Sequence, residues 1–162
     1  MPSQMPSPAR SLWRISNYAS LSGEGGLAYS GRWHTRGHRI IYFAESPAGA
    51  LLEALVHIEL DFARLPRSYK LLRVEAPDTI EIESLKVPAG KAWKNNLDLT
   101  RRLGDAWLQS HRPALARVPS AIAPSTWNVL LNPGHLSAAR LKIAETLPIE
   151  FDPRLFAGIP SK

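Results

Sequence analysis

The chain contains no cysteine. Disulfides, a thiolate nucleophile and any zinc site built on cysteine are thereby excluded. It also lacks an apolar run approaching the roughly 20 residues that cross a bilayer as a helix. The opening stretch MPSQMPSPARS has no apolar centre, so residues 1–11 read as a disordered leader rather than a signal peptide. The cytoplasm is the expected compartment. Acidic residues are the scarcer charge, 14 against 20 lysines and arginines, for a net charge of +6. Yet no Lys/Arg tract exists, and the densest groupings are only Arg32–Arg39 and Arg101-Arg102. A diffuse basic surface is the plain reading; a pocket for an anionic ligand, or a surface for an acidic partner, is the sharper one. The five histidines (His34, His38, His57, His111, His135) show neither HExxH nor another paired ligand spacing, so no metal is expected. The GxSxG, GxGxxG and P-loop patterns are absent as well.

What is present suits one soluble domain. The 162 residues, 44% hydrophobic and 21% charged, suffice for a sizeable core. Leu12–Ile15 reads as a first strand entering a Gly- and Ser-rich loop, Ser20–Gly31. Arg39–Ala44 is a β-rich run, with Ile40 and Tyr42 on one face and Ile41 and Phe43 on the other. Ser46-Pro47 is a helix start, with Ser46 as N-cap, and the helix should continue to about Leu60. Its buried stripe would be Ala48, Leu51, Leu52 and Leu55, with Glu53 and His57 on the opposite side. Tyr69–Glu75 and Thr79–Leu85 read as strands joined by a Pro-Asp turn, and Asn95–His111 as an amphipathic helix. Leu115–Val118 and Trp127–Leu131 are short strands flanking a Pro119–Ser125 loop, and Leu141–Phe151 is a last strand. Because helices do not alternate regularly with strands, a single compact α+β domain is expected over 12–156, with a tail at 157–162.

Arg32, Glu53 and Ser120 each place a polar group within apolar or turn-forming sequence. Taken singly, Arg32 reads as an edge-strand arginine, Glu53 as a solvated helix position, and Ser120 as a loop hydroxyl with no triad around it. A permanently charged, planar guanidinium binds phosphate oxygens bidentately, however. A carboxylate stabilises an oxocarbenium-like sugar, as in glycosidic cleavage. The Tyr42 ring is suited to stacking on a flat base while its hydroxyl reaches a ligand. Asn132 is a further ligand candidate, or else a turn residue before Pro133.

In their order, the motifs are more specific. Gly31-Arg32-Trp33-His34, Ile41-Tyr42-Phe43-Ala44-Glu45-Ser46, Leu51-Leu52-Glu53-Ala54-Leu55-Val56-His57, Val118-Pro119-Ser120 and Asn128-Val129-Leu130-Leu131-Asn132-Pro133-Gly134-His135 resemble the RES family from about Leu12 to Phe156. That family is named for an Arg, a Glu and a Ser, which map to Arg32, Glu53 and Ser120; Ser125, in the same loop, competes for the serine. The resemblance implies the toxin of a bacterial type II toxin–antitoxin pair, with a fold similar to ADP-ribosyltransferases. It implies breakage of the nicotinamide–ribose bond of NAD by hydrolysis or phosphorolysis. NAD is then a substrate, inorganic phosphate is the co-substrate in the phosphorolytic case, and no cofactor is permanently bound. Protein ADP-ribosylation is the alternative within the same chemistry; an RNA-targeting toxin and a non-enzymatic interaction module are the rivals outside it. The implied partner is an Xre-like antitoxin that covers the active site and carries any contact with DNA, with a homodimer within the complex as a further option and no membrane involved. On this reading Arg32 grips phosphate, Tyr42 packs on nicotinamide, Glu53 faces the ribose, and Ser120 bonds the nicotinamide or ribose end.

Overall fold

A computed structural model of the protein describes residues 8–57 and 68–157. Seven strands build one sheet in the order β4-β5-β6-β2-β1-β3-β7. They are β1 (Ala9–Ser16), β2 (Ile41–Ala44), β3 (Lys70–Pro77), β4 (Ile82–Ser84), β5 (Leu115–Pro119), β6 (Trp127–Leu131) and β7 (Lys142–Pro148). Neighbours run antiparallel except β4 and β5, which are parallel. The helices are a single turn α1 (Gly25–Ala28), α2 (Pro47–His57) and α3 (Leu97–Ser110). The expected α+β class is the one observed.

Strand side chains alternate between faces, and both faces are apolar here. One face carries Leu12, Ile41, Phe43, Leu72, Val74, Leu115, Val129 and Leu131. The other carries Ile40, Ala116, Val118 and Leu130, packed with Trp33, Trp93, Trp107 and Leu108. The separation of Ile40 and Tyr42 from Ile41 and Phe43 follows the alternation read from sequence. The second face carries the site, because α3 and the Trp33 segment cover one part of it and α2 packs against β1 and β2 nearby.

Local chemistry explains the helix ends. Ser46 Oγ accepts from Gly49 N at 2.9 Å, so it does cap α2. Asn96 Oδ1 accepts from Leu99 N at 3.1 Å and opens α3, while His111 closes it in the left-handed conformation at φ 51°.

Several expectations need correction. The first strand begins at Ala9, inside the stretch read as a leader. The two strands expected over 69–85 are present as β3 and β4, the second reduced to Ile82–Ser84, and they are not neighbours: β3 lies between β1 and β7, whereas β4 crosses to the far edge beside β5. The continuation of α2 to Leu60 lies outside the described residues. Its stripe was misphased as well. Ala50 is the buried residue, Leu51, Leu52 and Leu55 are half-buried, and Ala48 is exposed. Glu53, one turn from Ala50, therefore faces the sheet, and only His57 is exposed as expected. The error arose from aligning the stripe on leucines, when the close approach of α2 to β1 and β2 favours a small side chain.

Candidate active site

Glu53 is held from two strands' ends. Its Oε1 accepts from Asn128 Nδ2 at 2.8 Å and from Ser120 Oγ at 3.2 Å. Both donors fall on one oxygen, and Oε2 has no hydrogen bond from any described residue. Asn128 lies on β6 opposite Ala44 of β2 and Val118 of β5. A carboxylate only accepts, so the Asn128 amide must turn its nitrogen to Glu53. Its Oδ1 is left buried with no partner among the described residues. Ser120 is 5% exposed. Its hydroxyl donates its single proton to Glu53 and accepts from Ile122 N at 3.1 Å and Ala123 N at 3.2 Å. The hydroxyl's proton is held by Glu53, and no histidine contacts it among the described residues. Ser125, by contrast, is exposed at a positive φ of 54° in the turn.

Tyr42 shares this face. It pairs with Leu130, two residues along β6 from Asn128, a diagonal separation of about 7–8 Å. Its hydroxyl is fully engaged. His34 Nε2 faces the Tyr29 carbonyl at 2.9 Å, which can only accept, so Nε2 carries the proton. His34 Nδ1 then accepts from Tyr42 Oη at 2.7 Å, and Oη in turn accepts from Trp33 N at 3.1 Å. The hydroxyl is therefore not free to reach a ligand as expected; only the ring is available. Burial raises the tyrosine's pKa far above its ordinary value, and burial likewise lowers that of His34. Both groups are therefore neutral near pH 7. The hydrogen bond from Trp33 N opposes the rise at Tyr42, the Asp105 charge adds to it, and the charges of Arg101 and Arg32 offset it in smaller part.

Arg32 sits in a loop clamped by α3. Thr100 Oγ1 donates to the Arg32 carbonyl at 2.6 Å, Arg101 Nε to the Gly31 carbonyl at 2.8 Å, and Asp105 Oδ1 accepts from Thr35 N at 2.9 Å. Positions 100, 101, 104 and 105 repeat at helical spacing on one side of α3. At 104 only glycine fits, since a Cβ there would overlap the Trp33 carbonyl; a Cβ on Gly31 would overlap the Tyr42 hydroxyl. Burying the Trp33 side chain contributes roughly 3 kcal/mol, against about 1 kcal/mol for each neutral hydrogen bond. Packing anchors the loop, and the bonds orient it. The Arg32 guanidinium donates to the Lys94 carbonyl at 2.7 Å and forms no ion pair among the described residues.

Asn132 does not join this group. It is 7% exposed, donates to the Leu108 carbonyl at 3.3 Å and accepts from Gly134 N at 3.1 Å, which fixes the turn after β6. Sequence reasoning chose it over Asn128, in the same motif. Strand alternation puts positions 128, 130 and 132 on one face and does not separate them; what separates them is the end of β6 at Leu131, which leaves Asn132 in the turn before Pro133. His34, Thr100, Arg101 and Gly104 were also missed, because their contacts are made to main chain or to other interior groups. No cluster of His, Asp or Glu suited to a metal occurs among the described residues.

Fold and site define a single-domain α+β protein with a carboxylate centre and an arginine loop on one face of a mixed sheet. The profile of the RES domain matches residues 11–152, and the chain belongs to the RES domain family. A protein named Toxin Res from Pseudomonas putida is 47% identical over 148 residues, covering 90% of this chain and 99% of that one. The Prs ADP-ribosylating toxin of a Sphingobium species is 36% identical over 157 residues, covering 90% and 96%. The M. tuberculosis MbcT–MbcA toxin–antitoxin complex contains a chain of similar fold, with a TM-score of 0.65 over 93% of this chain and 88% of that one at 18% identity. No helix among the described residues is long and apolar enough to cross a membrane.

Proposed function

We propose that the protein is a toxin that cleaves the nicotinamide–ribose bond of NAD. The observation that carries this reading is the Glu53 carboxylate, with both of its hydrogen bonds on Oε1 and none on Oε2 among the described residues, on the sheet face that also presents Tyr42 and the arginine loop. Nicotinamide leaves as a neutral base, so no general acid is required. When the C1′–N bond breaks, positive charge develops on the ribose, and a fixed carboxylate oxygen stabilises it without reorganising. Arg32 supplies a cation for the pyrophosphate, and the Tyr42 ring an apolar surface for the nicotinamide. Ser120 and Asn128 hold Glu53 in register. Water then gives ADP-ribose and a proton, and inorganic phosphate gives ADP-ribose 1″-phosphate.

A second acceptor, a protein side chain, is favoured by the name of the Sphingobium relative. The toxin role is supported by the names of the P. putida and Sphingobium relatives, and an antitoxin partner by the toxin–antitoxin complex that contains the structural neighbour. Incubation with NAD, with and without phosphate, should release nicotinamide, and chromatography of the second product identifies the acceptor. Absence of nicotinamide release from folded protein under every condition would overturn the proposal.

A further inference from the structure

Arg101 has no role in the chemistry above, yet its placement is unusual for a helix-surface arginine. It is half-buried. Its Nε is spent on the Gly31 carbonyl, immediately before Arg32. Of the two acids a turn away on α3, Asp98 is exposed and Asp105 is committed to Thr35 N and lies 4.0 Å from His38, and Arg101 has no ion pair among the described residues. Arg32 is in the same state: half-buried, bonded to a carbonyl and without an acidic partner among the described residues. Two cations therefore converge on the Gly31-Arg32 turn, and neither forms an ion pair among the described residues, Asp105 being held by Thr35 N. Partly desolvated like charges are disfavoured unless an anion joins them.

We infer that Arg101 is a second anion-binding residue, and that Arg32 and Arg101 together bind a diphosphate, each taking one phosphoryl group. This rests on the NAD reading for the identity of the ligand but not for the anion site itself. The Nε contact with Gly31 orients the Arg101 fork and leaves its two terminal nitrogens for the ligand.

The decisive variant is Arg101→Gln, whose amide can still donate to the Gly31 carbonyl while the charge is lost. Its KM for NAD should rise about tenfold or more, the scale of one charge-assisted bond, and kcat should change far less. Affinity for inorganic pyrophosphate, titrated calorimetrically without turnover, should fall by a similar factor. Arg101→Lys keeps the charge without the fork and should lose only part of each. Arg102→Gln, the exposed neighbour on α3, removes the same charge and should leave both values as in the parent. Equal KM and equal pyrophosphate affinity in parent and Arg101→Gln would overturn the inference, as would an equal loss in Arg102→Gln. If pyrophosphate binding falls in Arg101→Gln but the parent releases no nicotinamide, the arginine pair stands and the NAD reading falls.

Discussion

At the arginine end of the site α3 grips main chain, through the carbonyls of Gly31 and Arg32, the amide of Thr35 and the close passage of Gly104 under Trp33. At the acid end the contacts run from side chain to side chain, with Ser120 and Asn128 both on Glu53 Oε1. The first arrangement fixes where the loop lies and leaves the Arg32 guanidinium, among the described residues, only one bond, to the Lys94 carbonyl. The second fixes the Glu53 carboxylate itself, one oxygen held and the other without a hydrogen bond among the described residues. A phosphate contact tolerates some play, because the charge on phosphate is spread over several oxygens. Stabilisation of a developing ribose cation does not, because preorganised charge is effective only at the position where the new charge appears. The two ends are therefore expected to fail differently: the acid end in turnover, the arginine end in binding and stability.

The largest effect belongs to Glu53→Gln. The amide oxygen can accept from Ser120 and Asn128 as the carboxylate oxygen did, so the side chain keeps its place and the fold survives. The group facing the ribose loses its charge, and kcat should fall about 10²–10³-fold with little change in KM. Steady-state NAD consumption, with a melting curve beside it, decides this. Near-normal turnover would remove Glu53 from its role, and a collapsed melting temperature would show that the acid end is structural too.

Next comes Gly104→Ala, aimed at the other end. A Cβ there overlaps the Trp33 carbonyl, so α3 or the loop must shift. Overpacking of this kind costs about 1–3 kcal/mol, roughly 3–10 °C in melting temperature for a chain of this size. Because the displaced loop carries Arg32, KM for NAD should rise more than kcat falls. An unaltered melting temperature with a loss confined to kcat would break the distinction between the two ends.

The same distinction explains what was legible. The motif residues Arg32, Glu53 and Ser120 stood out because a polar residue in apolar surroundings is a local signal. The strand alternation around Tyr42 and the Ser46 cap are local as well, and the structure follows them. Residues that act across the fold gave no such signal. Thr100, Arg101 and Gly104 read as ordinary members of an amphipathic helix, and only the packing of α3 on the Gly31–Thr35 loop reveals their work. The orientation of Glu53 was misread for a related reason. The phase of α2 is set by the small Ala50 against β1 and β2 rather than by its leucines, and that contact is not written in the helix alone.

The smallest effect concerns the link between the ends, His34 and Tyr42. Burial lowers the pKa of His34, so the folded state resists protonation more than the unfolded chain does. As pH falls from 7.5, the unfolded chain takes up a proton first, near the ordinary histidine value of about 6.5. Stability present above that value should then decline as pH approaches the lowered folded value. Protonation would also leave Nδ1 carrying a proton towards the Tyr42 hydroxyl and Gly31 N, both of which donate to it in the neutral form. The melting temperature should therefore drop between pH 7.5 and 5.5 in the parent. In His34→Gln it should start lower, by roughly 2–4 °C for the ~1 kcal/mol lost with the bond to Tyr42, and fall less steeply. Equal slopes in the two proteins would place the acid sensitivity elsewhere and leave the His34–Tyr42 contact as packing alone.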